Sequence, residues 1–377
     1  MSSPADSATD STTGRAAKPA MRPVVWDPPP HPARSAQRVS RIPLPMVDLL
    51  PLGGEGPEHV VAEGPGRLLT GVADGRILRV YTGGGRVEQA ARIDGRPLGL
   101  HPLPDGRLLV CDADRGLVRI DPATGDSELL WQGGDSATLC SNVAVGADGT
   151  VYVSSSSGRY RLRHYKGDLL EHSGTGRVVR IAPGEPPEVV LDGLHFANGL
   201  ALAPDESWLT VAETGAYRLT RLWLTGPRAG EREPLADDLP GFPDNLSRGA
   251  GGLVWAALAG PRDPLLDRLH RGPAALRRSL WRLLPYRALP GPAPTAWAMA
   301  FDADGRVVHD LQRPLDGFRM ATSVCEHEGR LYLGSLTGSA LARVDLPAGP
   351  TGPAGPTGLG GTAGLGGTAG QDGPAGR

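Results

Sequence analysis

The chain has few aromatic residues, few cysteines and no long hydrophobic run. Only 5% of its 377 residues are Phe, Trp or Tyr, against 54 glycines and 37 prolines. This composition favours many turns between short strands over long helices. No run of roughly 18 apolar residues occurs, which argues against a transmembrane helix. The N-terminus carries no apolar signal segment, so we predict a soluble cytoplasmic protein.

Cysteine and net charge exclude several further classes of protein. Three cysteines occur, at Cys111, Cys140 and Cys325, without any CxxC spacing. Neither a disulfide framework nor a zinc site is indicated, and we expect buried free thiols. The formal net charge of −2 gives no reason to expect nucleic acid as a partner. We predict a monomer that binds a small molecule.

Both ends of the chain differ in composition from its centre. Residues 1–40 are rich in Ser, Thr, Ala and Pro, and we predict that they are disordered. The tail, residues 347–377, has glycine at every third position from Gly349 through nine triplets. That spacing is typical of a collagen triple helix, but so few triplets with little proline favour a flexible low-complexity tail over oligomerisation.

Between these ends, a β-rich motif follows a turn six times. Its copies begin at Gly66, Gly106, Gly149, Ser207, Gly252 and Gly329. Intervals of 40, 43 and 45 residues match propeller blades, and the longer intervals indicate insertions. We therefore predict an all-β fold, a six-bladed β-propeller over residues 41–346, with residues 43–52 supplying the strand that closes the ring. A β-sandwich is the alternative, but it would not need six similar units.

Two insertions interrupt the repeats. The first, residues 158–176, is predicted as a polar, basic loop, in which Tyr160, Arg163 and His164 are candidates for a substrate lid; a solvated loop is the alternative. The second, residues 263–290, places leucines at helical intervals among arginines. Its basic amphipathic part, 263–287, is of a kind that binds membrane surfaces, but we expect its apolar face to pack on its own domain.

The segment before each repeat is predicted to form the innermost strand of its blade. Six residues would then point at the channel axis: Glu58, Leu98, Asn142, Asn198, Asp244 and Thr322. Singly, each Asn or Asp is a common turn residue. Together, however, the two carboxylates among these four polar residues would repel each other in a narrow channel unless a cation lay between them. Oxygen donors without His or Cys favour Ca²⁺, with Mg²⁺ or Mn²⁺ as alternatives. Asn245 joins them only if the backbone bends there.

The motifs, taken in order, resemble the strictosidine synthase-like family, in the branch of adipocyte plasma membrane-associated protein. The resemblance covers residues 49–346 and rests on "GPEHV", "GRPLGL", "SNVAV", "FANGLALAPD", "VAETGAYRL" and "PGFPDN". It implies a six-bladed propeller related to the paraoxonases and gluconolactonases, which are metal-dependent ester and lactone hydrolases. It implies an acid–base role for Asp244 and metal ligands at Glu58, Asn142, Asn198, Asp244 and Asn245.

Two positions depart from these relatives. The catalytic glutamate of strictosidine synthase falls on Thr322, which argues against amine–aldehyde condensation. The paraoxonase histidine falls on Leu98, with His101 three residues on. His195 and His59 are candidate helpers in proton transfer, although strand alternation should turn His59 into its blade.

We therefore predict a Ca²⁺-dependent hydrolase of small esters or lactones in which Asp244 moves the proton. The alternatives are a non-enzymatic propeller that acts as a binding module with a structural Ca²⁺, and a carbon–nitrogen bond-forming enzyme of the strictosidine type.

Overall fold

Four-stranded antiparallel sheets repeat six times in the described part of the computed structural model, which comprises residues 18–45, 47–133, 139–290, 295–318 and 320–346. In five of the sheets the strands are consecutive in sequence. One edge strand of each sheet contacts the corresponding strands of the two neighbouring sheets, so these innermost strands surround a central channel. The predicted six-bladed β-propeller is confirmed.

The strands follow the order of the sequence repeats. The first, β1 (Val47–Pro51), precedes all the repeats. Blades one to three consist of β2 (Val60–Gly64), β3 (Arg67–Gly71), β4 (Arg76–Tyr81), β5 (Val87–Arg92), β6 (Pro97–Pro102), β7 (Leu108–Asp112), β8 (Gly116–Ile120), β9 (Ser127–Trp131), β10 (Cys140–Val145), β11 (Val151–Ser155), β12 (Gly176–Ile181) and β13 (Glu188–Leu194). Blades four to six consist of β14 (Ala197–Leu202), β15 (Trp208–Glu213), β16 (Arg218–Trp223), β17 (Arg232–Ala236), β18 (Gly241–Arg248), β19 (Val254–Pro261), β20 (Ala296–Phe301), β21 (Val307–Arg313), β22 (Ala321–His327), β23 (Arg330–Ser335) and β24 (Ala340–Asp345).

The ring closes through its N-terminal strand. β1 pairs antiparallel with β24, with Val47 opposite Val344, and so completes the sixth blade. This is the strand that residues 43–52 were predicted to supply. Closure joins the two ends of the propeller by backbone hydrogen bonds, because the outermost strand of the last blade comes from the start of the chain.

The core lies between the blades. The second strand of a blade, such as β7, is buried along its whole length, because neighbouring sheets cover both of its faces. Cys111, Cys140 and Cys325 are buried free thiols, as the sequence predicts.

Three α-helices pack together on one side of the propeller. They are α1 (Tyr165–Glu171), α2 (Pro264–Arg271) and α3 (Ala274–Leu283). Short 3₁₀-helices occur at Ala33–Ala36, Leu162–His164, Thr214–Ala216, Ala250–Gly252 and Tyr286–Ala288. Residues 158–176 are therefore not only a loop, since burial of Leu169 and Leu170 accompanies a helix there. The side chain of Asp263 caps α2 by accepting from the backbone of Leu265 and Leu266.

Residues 18–40 differ from the predicted disorder. The Trp26 ring stacks on His172 at 4.0 Å, and Trp281 Nε1 donates to the Pro19 carbonyl at 2.8 Å. The part from Pro19 to Trp26 thus lies against the three helices, where Trp26 gains aromatic contacts that composition could not reveal, and Ser40 bonds to Gln312 of β21. Residues 1–17 and the predicted tail, 347–377, lie outside the described residues.

The second insertion exposes part of its apolar surface. Leu266, Leu269 and Trp281 are buried against the domain, as expected. Leu276 and Leu283 are exposed. Membrane binding through residues 263–287 stays a prediction.

The innermost strands approach each other most closely at glycines. A Cβ on Gly199, in β14, would lie 2.1 Å from the Leu246 nitrogen and 2.6 Å from the Asn245 Cα of β18. A Cβ on Gly99, in β6, would lie 2.6 Å from the Asn142 Cα of β10. Each glycine therefore lets a channel strand reach its neighbour's backbone.

We expect Gly199→Ala to lower the free energy of unfolding by about 1–3 kcal/mol, because the methyl group must push β18 away from β14. Urea unfolding would measure the loss. Gly83→Ala is a matched control, since no atom lies within 4 Å of a Cβ built there. Equal midpoints for the two variants would show that the close approach contributes nothing to stability.

Candidate functional site

The propeller brings five polar side chains together in its channel. This channel cluster consists of Glu58, Asn142, Asn198, Asp244 and Asn245, all at most 7% exposed. Asn142 Nδ2 donates to Asn245 Oδ1 at 2.7 Å, and Asn245 Nδ2 donates to Glu58 Oε1 at 2.6 Å. Asn198 Nδ2 donates to Asp244 Oδ1 at 2.8 Å. All five predicted ligand positions therefore meet at one place.

An irregularity in β18 lets two adjacent residues enter the cluster. Its pairing with β19 skips from Pro243 to Leu246, so Asp244 and Asn245 make no ladder pair. In a regular strand these neighbours would point to opposite faces. The bulge brings both side chains to the channel, which meets the condition that the sequence set for Asn245.

Burial raises the pKa of both carboxyls of the channel cluster. The pKa of Glu58 rises to about 7 through burial, against the opposing effects of the Arg96 charge and the Asn245 hydrogen bond. The pKa of Asp244 lies well above its usual range because of burial first and the nearby Glu58 charge second. Two ionised carboxylates are thus unfavourable in this channel without a cation.

The residues of the channel cluster fit a hard divalent cation. Glu58 Oε2 is buried and has no hydrogen-bond partner in the described ranges. Among those residues no group of three His, Cys, Asp or Glu is placed to bind a metal. The cluster offers only carboxylate and amide oxygens as ligands. An Asn side chain that now donates to a carboxylate can present its amide oxygen to a cation if the amide group rotates by half a turn.

A cavity lies next to the channel cluster. Glu58, Asn198 and Asp244 form its polar end. Its apolar lining consists of Leu98, Leu139, Leu162, Leu169, Phe196, Ala259, Met320 and Leu336. We call this space the channel cavity. Such a lining lowers the local dielectric, so charges at the polar end act strongly on a bound molecule.

The first insertion borders the channel cavity through residues that the sequence analysis missed. Those residues are Leu162, Tyr165 and Leu169. The predicted lid residues do not line it: Tyr160 is buried and donates to Glu171 at 2.7 Å, Arg163 is exposed, and the His164 ring packs 5.9 Å from Trp281. Leu162, Tyr165 and Leu169 are spaced three and four residues apart, and this spacing is the sequence signal that could have placed them on one helix face.

The predicted helper histidines lie away from the channel cavity. His195 stacks on His172 at 3.9 Å. His59 borders a second cavity together with His101. Its Nδ1 accepts from the backbone of Leu100 in the next blade at 3.0 Å, so His59 does not point into its own blade. Burial lowers the pKa of both His59 and His101 to about 4.

Two other predicted ring positions line the channel cavity without supplying charge. Leu98 belongs to the apolar lining. Thr322 donates its hydroxyl hydrogen to the Glu58 carbonyl at 2.7 Å and so holds the backbone of that residue.

Tyr165, at the lining of the same cavity, has its pKa raised to about 12 by burial and by the Asp244 charge.

Sequence comparison gives matches to one group of proteins. Residues 44–80 match the model of the family "Strictosidine synthase-like, N-terminal", and residues 141–227 match that of "Strictosidine synthase". Adipocyte plasma membrane-associated protein from Salmo salar is 31% identical over 318 residues, which are 77% of this chain and 76% of the relative.

Solved structures share the fold at low identity. A gluconolactonase from Xanthomonas campestris has a TM-score of 0.58 at 20% identity, covering 89% of this chain and 99% of the other. The calcium-binding protein regucalcin from Agrobacterium tumefaciens has a TM-score of 0.57 at 15% identity, covering 84% and 97%. At these identities the likeness shows a gluconolactonase-like fold.

The predicted cytoplasmic location is wrong. The salmon relative, and the rat and human proteins of the same name, are called plasma membrane-associated. Among the residues that the structure describes, no helix is both long and apolar enough to cross a membrane.

Proposed function

The chain belongs to the strictosidine synthase-like family, and on that premise we propose that it is a divalent-cation-dependent hydrolase of small esters or lactones. The observation that carries this proposal is the channel cluster itself. Two carboxyls with raised pKa values meet three amides at the polar end of an apolar cavity. Solved structures of this fold include a gluconolactonase and a calcium-binding protein, which supports both parts of the proposal.

Each residue of the channel cluster has a role in the proposal. Glu58, Asn142, Asn198, Asp244 and Asn245 would hold the cation, and their hard oxygens favour Ca²⁺, with Mg²⁺ or Mn²⁺ as alternatives. When bound, the cation supplies Lewis-acid polarisation of the carbonyl and a lower pKa for water. Asp244 would hold and release the proton at a carboxyl oxygen.

The lining of the channel cavity narrows the substrate class. Apart from Glu58 and Asp244 at the polar end, the described residues of the lining are uncharged, and Leu169 of helix α1 covers part of the cavity together with Leu162 just before the helix. A polyhydroxylated sugar lactone would bury some of its hydroxyl groups against the apolar side chains of this lining, which is unfavourable. We therefore propose alkyl or aryl esters and lactones as substrates.

One alternative is weakened by Thr322. A strictosidine-type condensation would need a carboxylate at this position, whereas the Thr322 hydroxyl is used to bind the Glu58 carbonyl. A structural cation in a non-enzymatic binding module is the other alternative. It is separable by experiment, because a structural cation stabilises the fold without turnover.

An assay of phenyl acetate, an aliphatic lactone and gluconolactone tests the proposal directly. We expect the Ca²⁺-loaded protein to hydrolyse the first two in preference to gluconolactone, to lose activity with EDTA and to regain it with Ca²⁺. No turnover with Ca²⁺, Mg²⁺ or Mn²⁺ would refute the proposal. Thermal stabilisation by Ca²⁺ without turnover would instead support the structural role.

A further inference from the structure

Among the residues that the structure describes, four hydroxyl side chains line the channel cavity: Ser141, Tyr165, Thr214 and Thr322. A substrate ester group carries oxygens that accept hydrogen bonds, and the carboxyls of the polar end accept as well when they are ionised. A lining residue can therefore hold the substrate by a hydrogen bond only if it has a side-chain hydrogen that it does not already donate to another group.

The two threonines have already used their hydrogens. Thr214 Oγ1 donates to the Pro243 carbonyl at 2.6 Å, and Thr322 Oγ1 donates to the Glu58 carbonyl at 2.7 Å. Each hydroxyl has one hydrogen, so neither threonine can donate to a substrate while these bonds persist.

Ser141 is committed in the same way. Its Oγ lies 2.5 Å from Ser156 Oγ, and Ser156 Oγ donates to the Ala197 carbonyl at 2.6 Å. Because Ser156 has used its one hydrogen on Ala197, Ser141 must be the donor in the serine pair.

The lining amide is committed too. Asn198 Nδ2 donates one hydrogen to Asp244 at 2.8 Å and the other to Thr214 Oγ1 at 3.2 Å. The Tyr165 hydroxyl makes no hydrogen bond with any residue in the described ranges. When the carboxyls are ionised and the Asn198 amide keeps this orientation, Tyr165 thus carries the one uncommitted side-chain hydrogen among the described residues that line the channel cavity.

Packing holds the Tyr165 ring in place. Its ring meets Tyr286 edge to face at a centroid distance of 6.2 Å, and the Tyr286 hydroxyl accepts from the Lys166 backbone at 3.1 Å. Helix α1 is fixed at its other end by Glu171, which accepts from the Tyr160 hydroxyl. A donor on a supported helix loses little freedom when a ligand binds.

We infer that Tyr165 donates a hydrogen bond to an ester-group oxygen of the bound substrate and so sets its orientation above Asp244. This inference rests on the proposed function, since it assigns a contact within the same cavity. The remainder of the substrate would lie against the leucines of the lining. Without this donor, the substrate oxygen would stay unpartnered in an apolar space.

Tyr165→Phe removes the hydroxyl and keeps the ring. We expect kcat/KM for phenyl acetate and an aliphatic lactone to fall about 10- to 100-fold in the Ca²⁺-loaded full chain, with an unchanged melting temperature. Tyr152→Phe is the matched control, because Tyr152 is a largely buried tyrosine in β11 outside the channel cavity. Its kcat/KM should stay at the wild-type value.

Calorimetric binding of δ-valerolactam, a cyclic amide that accepts the same hydrogen bond, separates the two proposals. If Tyr165→Phe hydrolysed the substrates and bound the lactam as well as the wild-type protein does, the inference would be overturned and the hydrolase proposal would stand. Lactam binding without ester turnover in the wild type would refute the hydrolase, while weaker binding by Tyr165→Phe would still support the donor. Neither binding nor turnover in the wild type would overturn both.

Discussion

Replacing Asp244 by asparagine is expected to lower kcat/KM for ester and lactone hydrolysis about 10³-fold, within the range that loss of an acid–base group causes. The substitution keeps the shape of the side chain and removes its ability to take up a proton. It also removes one of the two acidic oxygen donors of the channel cluster, so Ca²⁺ affinity should fall as well. Steady-state kinetics at saturating Ca²⁺ would separate loss of turnover from loss of the cation.

Asp112→Asn is the matched control for that experiment. Asp112 is a buried carboxyl at the end of β7 whose pKa is also raised by burial, but it does not line the channel cavity. An equal loss of activity in both variants would attribute the effect to stability. An Asp244→Asn enzyme that kept wild-type kcat/KM would exclude the carboxyl from the reaction.

The repeat made the fold predictable from sequence. Each blade repeats one local pattern of a turn and alternating strand residues, so six copies specify six sheets without knowledge of their packing. The closing strand could be placed as well, because residues 43–52 lie before the first repeat and the last blade lacked one strand. The pairing of Val47 with Val344 agrees with this placement of the closing strand.

The channel cluster was only partly predictable. Glu58, Asn142, Asn198 and Asp244 follow from the register of the repeats, since each precedes its repeat by a similar interval. The position of Asn245 depends on the bulge between Pro243 and Leu246, which arises from pairing with β19. Bulges of this kind depend on tertiary context more than on local sequence.

The lining of the channel cavity was less predictable than the channel cluster. Helix α1 has only seven residues, and the polar, basic insertion that contains it gives a weak helical pattern. Its formation depends on packing against α2 and α3, which come from an insertion about one hundred residues later. Tyr165 was missed for this reason, while the nearby Tyr160 was proposed in its place.

The raised pKa values of Glu58 and Asp244 predict how cation binding depends on pH. A carboxyl with a raised pKa is more stable in the fold as the neutral acid, so it stabilises the metal-free protein at low pH. For Glu58 that contribution is lost as the pH rises from the usual value of 4.5 through about 7. A cation competes with these protons and therefore binds more tightly as the pH rises.

We therefore expect Ca²⁺ at about 100 times its dissociation constant to stabilise the protein by about 2.7 kcal/mol near pH 8, a melting shift of about 5 °C. Near pH 5, where Glu58 is protonated and protons compete with the cation, the same Ca²⁺ concentration should produce a much smaller shift. Differential scanning calorimetry at the two pH values measures this difference.

Glu58→Gln decides whether the channel cluster causes the shift. The variant lacks the carboxyl that titrates near neutral pH, so its Ca²⁺ stabilisation should be small at both pH values, whereas Asp112→Asn should respond like the wild type. A wild-type shift of the same size near pH 5 and pH 8 would place the cation elsewhere. If turnover and stabilisation rise together with pH, one carboxyl pair controls both, which a purely structural cation does not explain.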